Sequence, residues 1–150
     1  MIVSYKKKTV LGEIEYSDNN IIQLPKSIPG FNEVKTAIWF SSPEFDPVKW
    51  LIIDDEKGSA LPLLDPFMVV DDYAADIPDQ IVELLDIESQ EEVAVMCIAN
   101  PRKGEAPTVN LRAPIVINAK ERKAAQIILD DESLSVRYEW EPEEEKAEVC

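Results

Sequence analysis

The chain has no histidine. That excludes a histidine-assisted serine or cysteine triad and most zinc catalysis, because both need imidazole as base or ligand. Glycine is scarce as well. The four glycines stand singly at positions 12, 30, 58 and 104, so there is no glycine-rich loop to cradle a phosphate. The two cysteines, Cys97 and Cys150, are far apart and make neither a disulfide framework nor a zinc site. Cys97 lies in the apolar run VAVMCIA and reads as a small buried hydrophobe. No hydrophobic run approaches the roughly 20 residues of a membrane span. The opening MIVSYKKKTV lacks the apolar core of a secretion signal. A cytoplasmic protein is the expectation.

What is present is proline, β-branched residues and negative charge. The 150 residues are 45% hydrophobic and include 11 prolines. That suits one domain with one core and a turn-dense, β-rich chain. The formal net charge is -15. It is unevenly spread: residues 1–50 balance 6 Lys against 6 acids, residues 51–100 carry Lys57 against 13 acids, and residues 101–150 carry 8 bases against 11 acids. The middle third therefore holds -12 of the total. Such a field repels nucleic acid and anionic membranes and attracts basic partners. It also favours a monomer.

Periodicity supplies the elements. TVLGEIEYS, residues 9–17, alternates and reads as one strand. TAIWFSS and VKWLIID are further strand candidates, with the proline-bounded loop PEFDP between them. EKGS reads as a tight turn into ALPLLDPF. In DIPDQIVELLDI, Pro78 suits a first helical position, and Ile81, Leu84 and Leu85 make one apolar face. SQEE, residues 89–92, fits a capping box. VAVMCIA shows no alternation, as expected of a central strand buried on both faces. Val109, Leu111, Ala113, Ile115 and Ile117 alternate with Asn110, Arg112 and Asn118, and Ala125, Ile127 and Leu129 resume the pattern. This predicts a β-hairpin with a basic turn carrying Lys120, Arg122 and Lys123, and Pro114 marks an edge or bulge. SVRYEW supplies a last strand. The expected fold is mainly β: an antiparallel β-barrel-like domain or barrel-like sandwich with one or two short helices, over residues 1–140. Residues 141–150 are expected to be an acidic, disordered tail.

The chemistry left to such a chain is that of carboxylates and exposed aromatics. Acids adjoin at 54–56, 71–72 and 130–132. Paired carboxylates can hydrolyse glycosides or hold Mg²⁺ or Ca²⁺, although adjacent acids on turns are usually solvated loops. Trp39 and Trp50 read as core. Phe45, between prolines, and Tyr73, amid acids, read as partly exposed partner anchors.

Three blocks carry a family resemblance. GEIEYS…IIQLPKSIPGF, LLDPFMVVDDYAADIPDQIVELLDIES and NLRAPIVINAKERKAAQIILDD occur in the order and spacing of the bacterial flagellar assembly factor FliW family, which this chain resembles from Gly12 to about Tyr138. Ser27 stands where the family pattern usually has glycine, and Tyr138 where it usually has histidine. The resemblance implies a non-enzymatic cytoplasmic protein with no cofactor and two protein partners. One is flagellin, bound before export. The other is CsrA, the RNA-binding repressor of flagellin translation, captured once flagellin has left. Joined to the acidic middle third, it places partner binding at Asp65, Asp71, Asp72, Asp76 and Asp79, with Phe67, Tyr73 and Phe45 as apolar anchors. Alternatives are a flagellin chaperone without a regulatory partner and a carboxylate-based divalent-metal binder. The basic hairpin either supplies counter-charges to the acidic third or rims a second site.

Overall fold

Among the described residues seven strands close into a ring, and further elements cover parts of its outside. The structure is a computed structural model that describes residues 3–141. Cys150 and all but the first residue of the expected tail lie outside the described residues. The ring comprises β3 (Ile21–Gln23), β4 (Thr36–Phe40), β5 (Lys49–Ile53), β6 (Ala60–Leu64), β7 (Val93–Arg102), β9 (Ile115–Asn118) and β10 (Lys123–Gln126). β7 closes it by pairing with both β6 and β9. β8 (Glu105–Val109) and β11 (Tyr138–Glu139) extend the sheet outward from β7. The expectation of a mainly β, barrel-like domain with two short helices is met. One pairing departs from it: β10 meets β3 in parallel, through Lys123 opposite Gln23.

Period-two alternation explains how the ring fills. Every ring strand sends a residue inward: Ile22, Ala37, Leu51 and Ile53, Leu63, Met96, Ile115 and Ile117, and Ala124 form one buried cluster. The opposite faces need their own cover. On β7 the odd residues Val93, Val95, Cys97 and Ala99 join an outer cluster, while the even residues Ala94, Met96 and Ile98 face the inner one. A strand with apolar partners on both sides needs no alternation of polarity, as VAVMCIA shows. The outer cluster is roofed by residues 65–92, with α1 (Pro66–Val69) and α2 (Asp79–Leu84). Ile38 and Ile52 are covered by Ile14 from a separate hairpin of β1 (Ser4–Thr9) and β2 (Gly12–Ser17).

That hairpin corrects the sequence reading. Residues 9–17 are not one strand. The chain reverses at Val10 and Leu11, with Thr9 opposite Gly12, whose φ of 101 suits glycine. β1 pairs Lys6 with Glu15 and Lys8 with Glu13 across the ladder. The long strand expected from Val109 to Asn118 is interrupted too. β8 and β9 run along β7 in one direction, but residues 110–114 stand opposite only Cys97 and Ile98. Pro114 offers no N–H, and Asn110 Oδ1 accepts from the N–H groups of Arg112 and Ala113, each at 3.1 Å. The result is a wide bulge. Four of its carbonyls are used: Leu111 O accepts from Tyr73 Oη, Arg112 O from Leu129 N, Ala113 O from Gln126 Nε2 and Pro114 O from Ile127 N. Asn118 is fully buried, not on a wet face. Ser89 makes no side-chain cap, so the capping box does not form; Glu92 instead accepts from the N–H of Glu88.

Candidate functional site

Residues 65–92 form the roof, and its sequence explains its shape. Asp65 caps α1, its Oδ1 accepting from Phe67 N at 2.9 Å, and Pro66 fits the first turn. A four-residue helix buries one side only. Pro66 is buried and Val69 and Val70 pack on the outer cluster, which leaves Phe67 and Met68 outward, 54% and 52% exposed. The chain then dives at Tyr73. α2 follows Pro78, which sits one residue ahead of the helix. Ile81 and Leu85 go into the cluster, while Asp79 and Glu83 stay outside.

Tyr73 corrects the sequence expectation. It is not a partly exposed anchor but 5% exposed. Its hydroxyl donates to Leu111 O at 2.9 Å inside the bulge and accepts a long contact from Cys97 Sγ at 3.8 Å. An aromatic ring in one buried cluster with Leu64 and Ile81 gains more from burial than from water, provided its hydroxyl finds a partner. Burial pushes the Tyr73 phenol well above its ordinary range, with neighbouring Cys97 adding to it. Phe67 lies against Tyr73 from outside, ring edge to face, with centroids 5.7 Å apart. Phe45 belongs elsewhere. It is half-buried and meets Trp50 edge-on at 5.4 Å, next to the cluster of Ile38 and Ile52. Trp39 and Trp50 are half-buried, each packed against a cluster as expected.

Most of the carboxylates of the middle third fall into three groups. Asp54 lies 3.8 Å from Lys7 Nζ at the β5–β6 turn, and Asp55 O accepts from the same ammonium. Asp86, Glu88 and Glu92 face the basic turn of the β9–β10 hairpin: Lys123 pairs with Asp86, and Lys120 Nζ lies 3.8 and 3.7 Å from Glu88 and Glu92. Asp86 raises the Lys123 pKa by accepting its hydrogen bond. The third group is Asp71, Asp72, Asp76, Asp79 and Glu83, all exposed and without an ion-pair partner among the described residues. The proposed acids at 65–79 and Phe67 thus belong to one roof segment, with Asp65 used as a cap, and Phe45 packs elsewhere. Met68 and Glu83 were not singled out from the sequence. Their signal is the spacing of their buried neighbours, which becomes legible once the two helices are placed.

The remaining bases of the hairpin are also used internally. Arg122 Nη1 donates to Asp18 O at 2.8 Å and Asn19 Oδ1 at 3.3 Å, and Arg112 Nε donates to Leu129 O at 3.1 Å. Asn118 Nδ2 donates to Leu85 O and Asp86 O at 2.7 and 3.1 Å, and its Oδ1 accepts from Lys120 N and Glu121 N. The basic hairpin therefore binds the roof to the barrel. Among the described residues no three His, Cys, Asp or Glu side chains converge to hold a metal ion, and no helix is long and apolar enough to cross a membrane.

Comparison with known proteins agrees with this architecture. The family model described as FliW protein matches residues 5–140. A flagellar assembly factor FliW from Thermosipho africanus is 40% identical, over 89% of this chain and 93% of that protein. One from Thermotoga maritima is 38% identical, over 95% and 97%. A crystal structure described as that of the flagellar assembly factor FliW superposes with a TM-score of 0.82 at 29% identity, covering 90% of this chain and 96% of that one.

Proposed function

This chain belongs to the FliW family, and from that premise we propose that it is a cytoplasmic regulator of flagellum assembly that works by binding two proteins and catalyses no reaction. It holds flagellin before export. Once flagellin is exported, the freed factor captures the CsrA-type repressor, and flagellin translation resumes. The observation that carries the second step is the unpaired group Asp71, Asp72, Asp76, Asp79 and Glu83 on one segment. A protein that grips RNA must offer Lys and Arg to phosphates. An anionic segment attracts that surface, and the net charge of -15 opposes RNA nearby.

The test is a titration of a preformed regulator–RNA complex with the purified chain. RNA release is expected at low salt, weakening as salt screens the contact, and blocked when flagellin is added first. Failure to release RNA at low salt sinks the regulatory step. Flagellin capture with no effect on the regulator would leave a shielding chaperone alone.

A further inference from the structure

Resting on the reading above, we propose that Phe67 and Met68 form a rigid apolar knob that enters an apolar pocket rimmed by Lys and Arg on the cationic partner. In this division of roles the carboxylates at 71–83 speed approach and the knob governs retention.

Two adjacent large apolar side chains, each more than half exposed, precede the unpaired Asp71 and Asp72 with only Val69 and Val70 between. An apolar patch rimmed by charge is the usual mark of a protein interface. Other exposed hydrophobics differ: Ile128, 75% exposed, also precedes acids, Asp130 and Asp131, but it stands singly between the buried Ile127 and Leu129. Val10 caps a hairpin turn, and Val136 and Tyr138 lie on or beside the β11 edge. The knob is also held in place. Asp65 fixes the Phe67 N–H, and Met68 N donates to Asp65 O at 3.0 Å. The Phe67 ring rests on Tyr73 at an interplanar angle of 88°. Tyr73 is itself tied to Leu111 O in the bulge. Tyr73 is thus a positioning residue: it does not reach a partner but sets the ring that does. A side chain ordered beforehand loses little entropy on docking, which is what makes an aromatic anchor effective.

Charge complementarity selects the occupant. The acids that follow in the same segment, Asp71, Asp72, Asp76, Asp79 and Glu83, are exposed and unpaired among the described residues, so a neutral or acidic pocket is disfavoured. Exposed charges act over distance and are screened by salt, which places their effect mainly in the association rate. A buried aromatic and thioether act only after contact, which places theirs in the dissociation rate.

The experiment measures association and dissociation rates of the full chain with the CsrA-type regulator at low and high salt. The double substitution Phe67→Ser with Met68→Ser should raise the off-rate roughly thirtyfold or more, with the on-rate within about threefold. Asp71→Asn with Asp72→Asn should lower the on-rate at low salt, leave the off-rate nearly unchanged, and lose its effect at high salt. A urea midpoint near that of the unaltered chain checks folding of each. Tyr73→Leu, with the ring support removed, should raise the off-rate partway, and Tyr73→Phe should restore it. An off-rate indifferent to the knob substitution overturns this inference while leaving the proposed function standing. No binding by the unaltered chain overturns both.

Discussion

Single residues decide whether the roof stays on. Asn118 is fully buried and uses both ends of its amide: two donations to the carbonyls that end α2, two acceptances from the turn of the basic hairpin. Asn118→Ala should cost about 2–4 kcal/mol in urea unfolding, since it strands several buried groups at once. Asn118→Asp keeps the acceptor and loses the donors, and it sets a carboxylate against two carbonyls. It should be at least as damaging at pH 7 and partly recover at lower pH, where the protonated acid donates again. Residue-scale chemistry also fixes an alkaline limit. Burial pushes the Cys97 thiol up to about 11 from an ordinary 9.0, with the charge of Asp65 adding to it, and raises the Tyr73 phenol too. Above pH 9 the folded chain therefore holds more protons than the unfolded one, so this stability is present below pH 9 and lost as pH rises through about 11. Unfolding at pH 8, 9.5 and 10.5 should give a shallower decline for Cys97→Ala than for the unaltered chain; equal slopes would assign the decline to other groups. Burial of Cys97 was legible from the run around it. Burial of Tyr73 was not, because its neighbours in sequence are acids while its neighbours in space, Leu64, Ile81 and Leu111, come from three other segments.

At the scale of elements, the β1–β2 hairpin illustrates a docking that hinges on backbone proximity. Gly58 has φ 62, and a Cβ there would lie 2.6 Å from Thr9 Cα and 2.7 Å from Lys8 O. Its carbonyl accepts from Val10 N at 3.2 Å. Gly58→Ala should destabilise by about 1–3 kcal/mol, combining an unfavourable φ with a clash that no side-chain rotation relieves. Hydrogen exchange should then be accelerated first in β1 and β2, and uniform acceleration would show that the hairpin is not a separable unit. Strands with two apolar neighbours or clear alternation, such as β4, β5 and β7, were readable because period and burial coincide there. The errors came where side-chain pattern continues while the backbone does not. Residues 109–117 alternate in sequence through the bulge although the ladder breaks at Asn110 and Pro114, and burial does not follow: Ala113 is half-buried while Pro114 and Val116 are buried. Residues 9–17 alternate across a reversal that two residues suffice to make. The parallel seam of β3 and β10 joins segments about a hundred residues apart, and no local period encodes that.

For the whole molecule the issue is charge. Net -15 with a middle third of -12 leads to the expectation of an anionic face, and internal ion pairs account for part of that charge. Lys7 meets Asp54, and Lys120 and Lys123 meet the acids after α2. What remains unpaired among the described residues in the roof is the group at 71–83, with Glu91 apart from it and Asp65 used as a cap. Carboxylates that support no internal contact can be changed without loss of fold, which separates recognition from stability. Asp71→Lys with Asp72→Lys adds two charges at each site and moves the net charge from -15 to -11. Both positions are exposed, so unfolding should shift by less than about 0.5 kcal/mol, and if anything toward stability, because self-repulsion falls. Capture of a cationic regulator should be abolished at low salt, since like charge now meets its rim. Binding of flagellin through another surface should persist, and pull-downs with each protein separately read the two outcomes. Undiminished capture of the regulator would move its site off the roof; loss of both partners with the fold intact would mean that they share it.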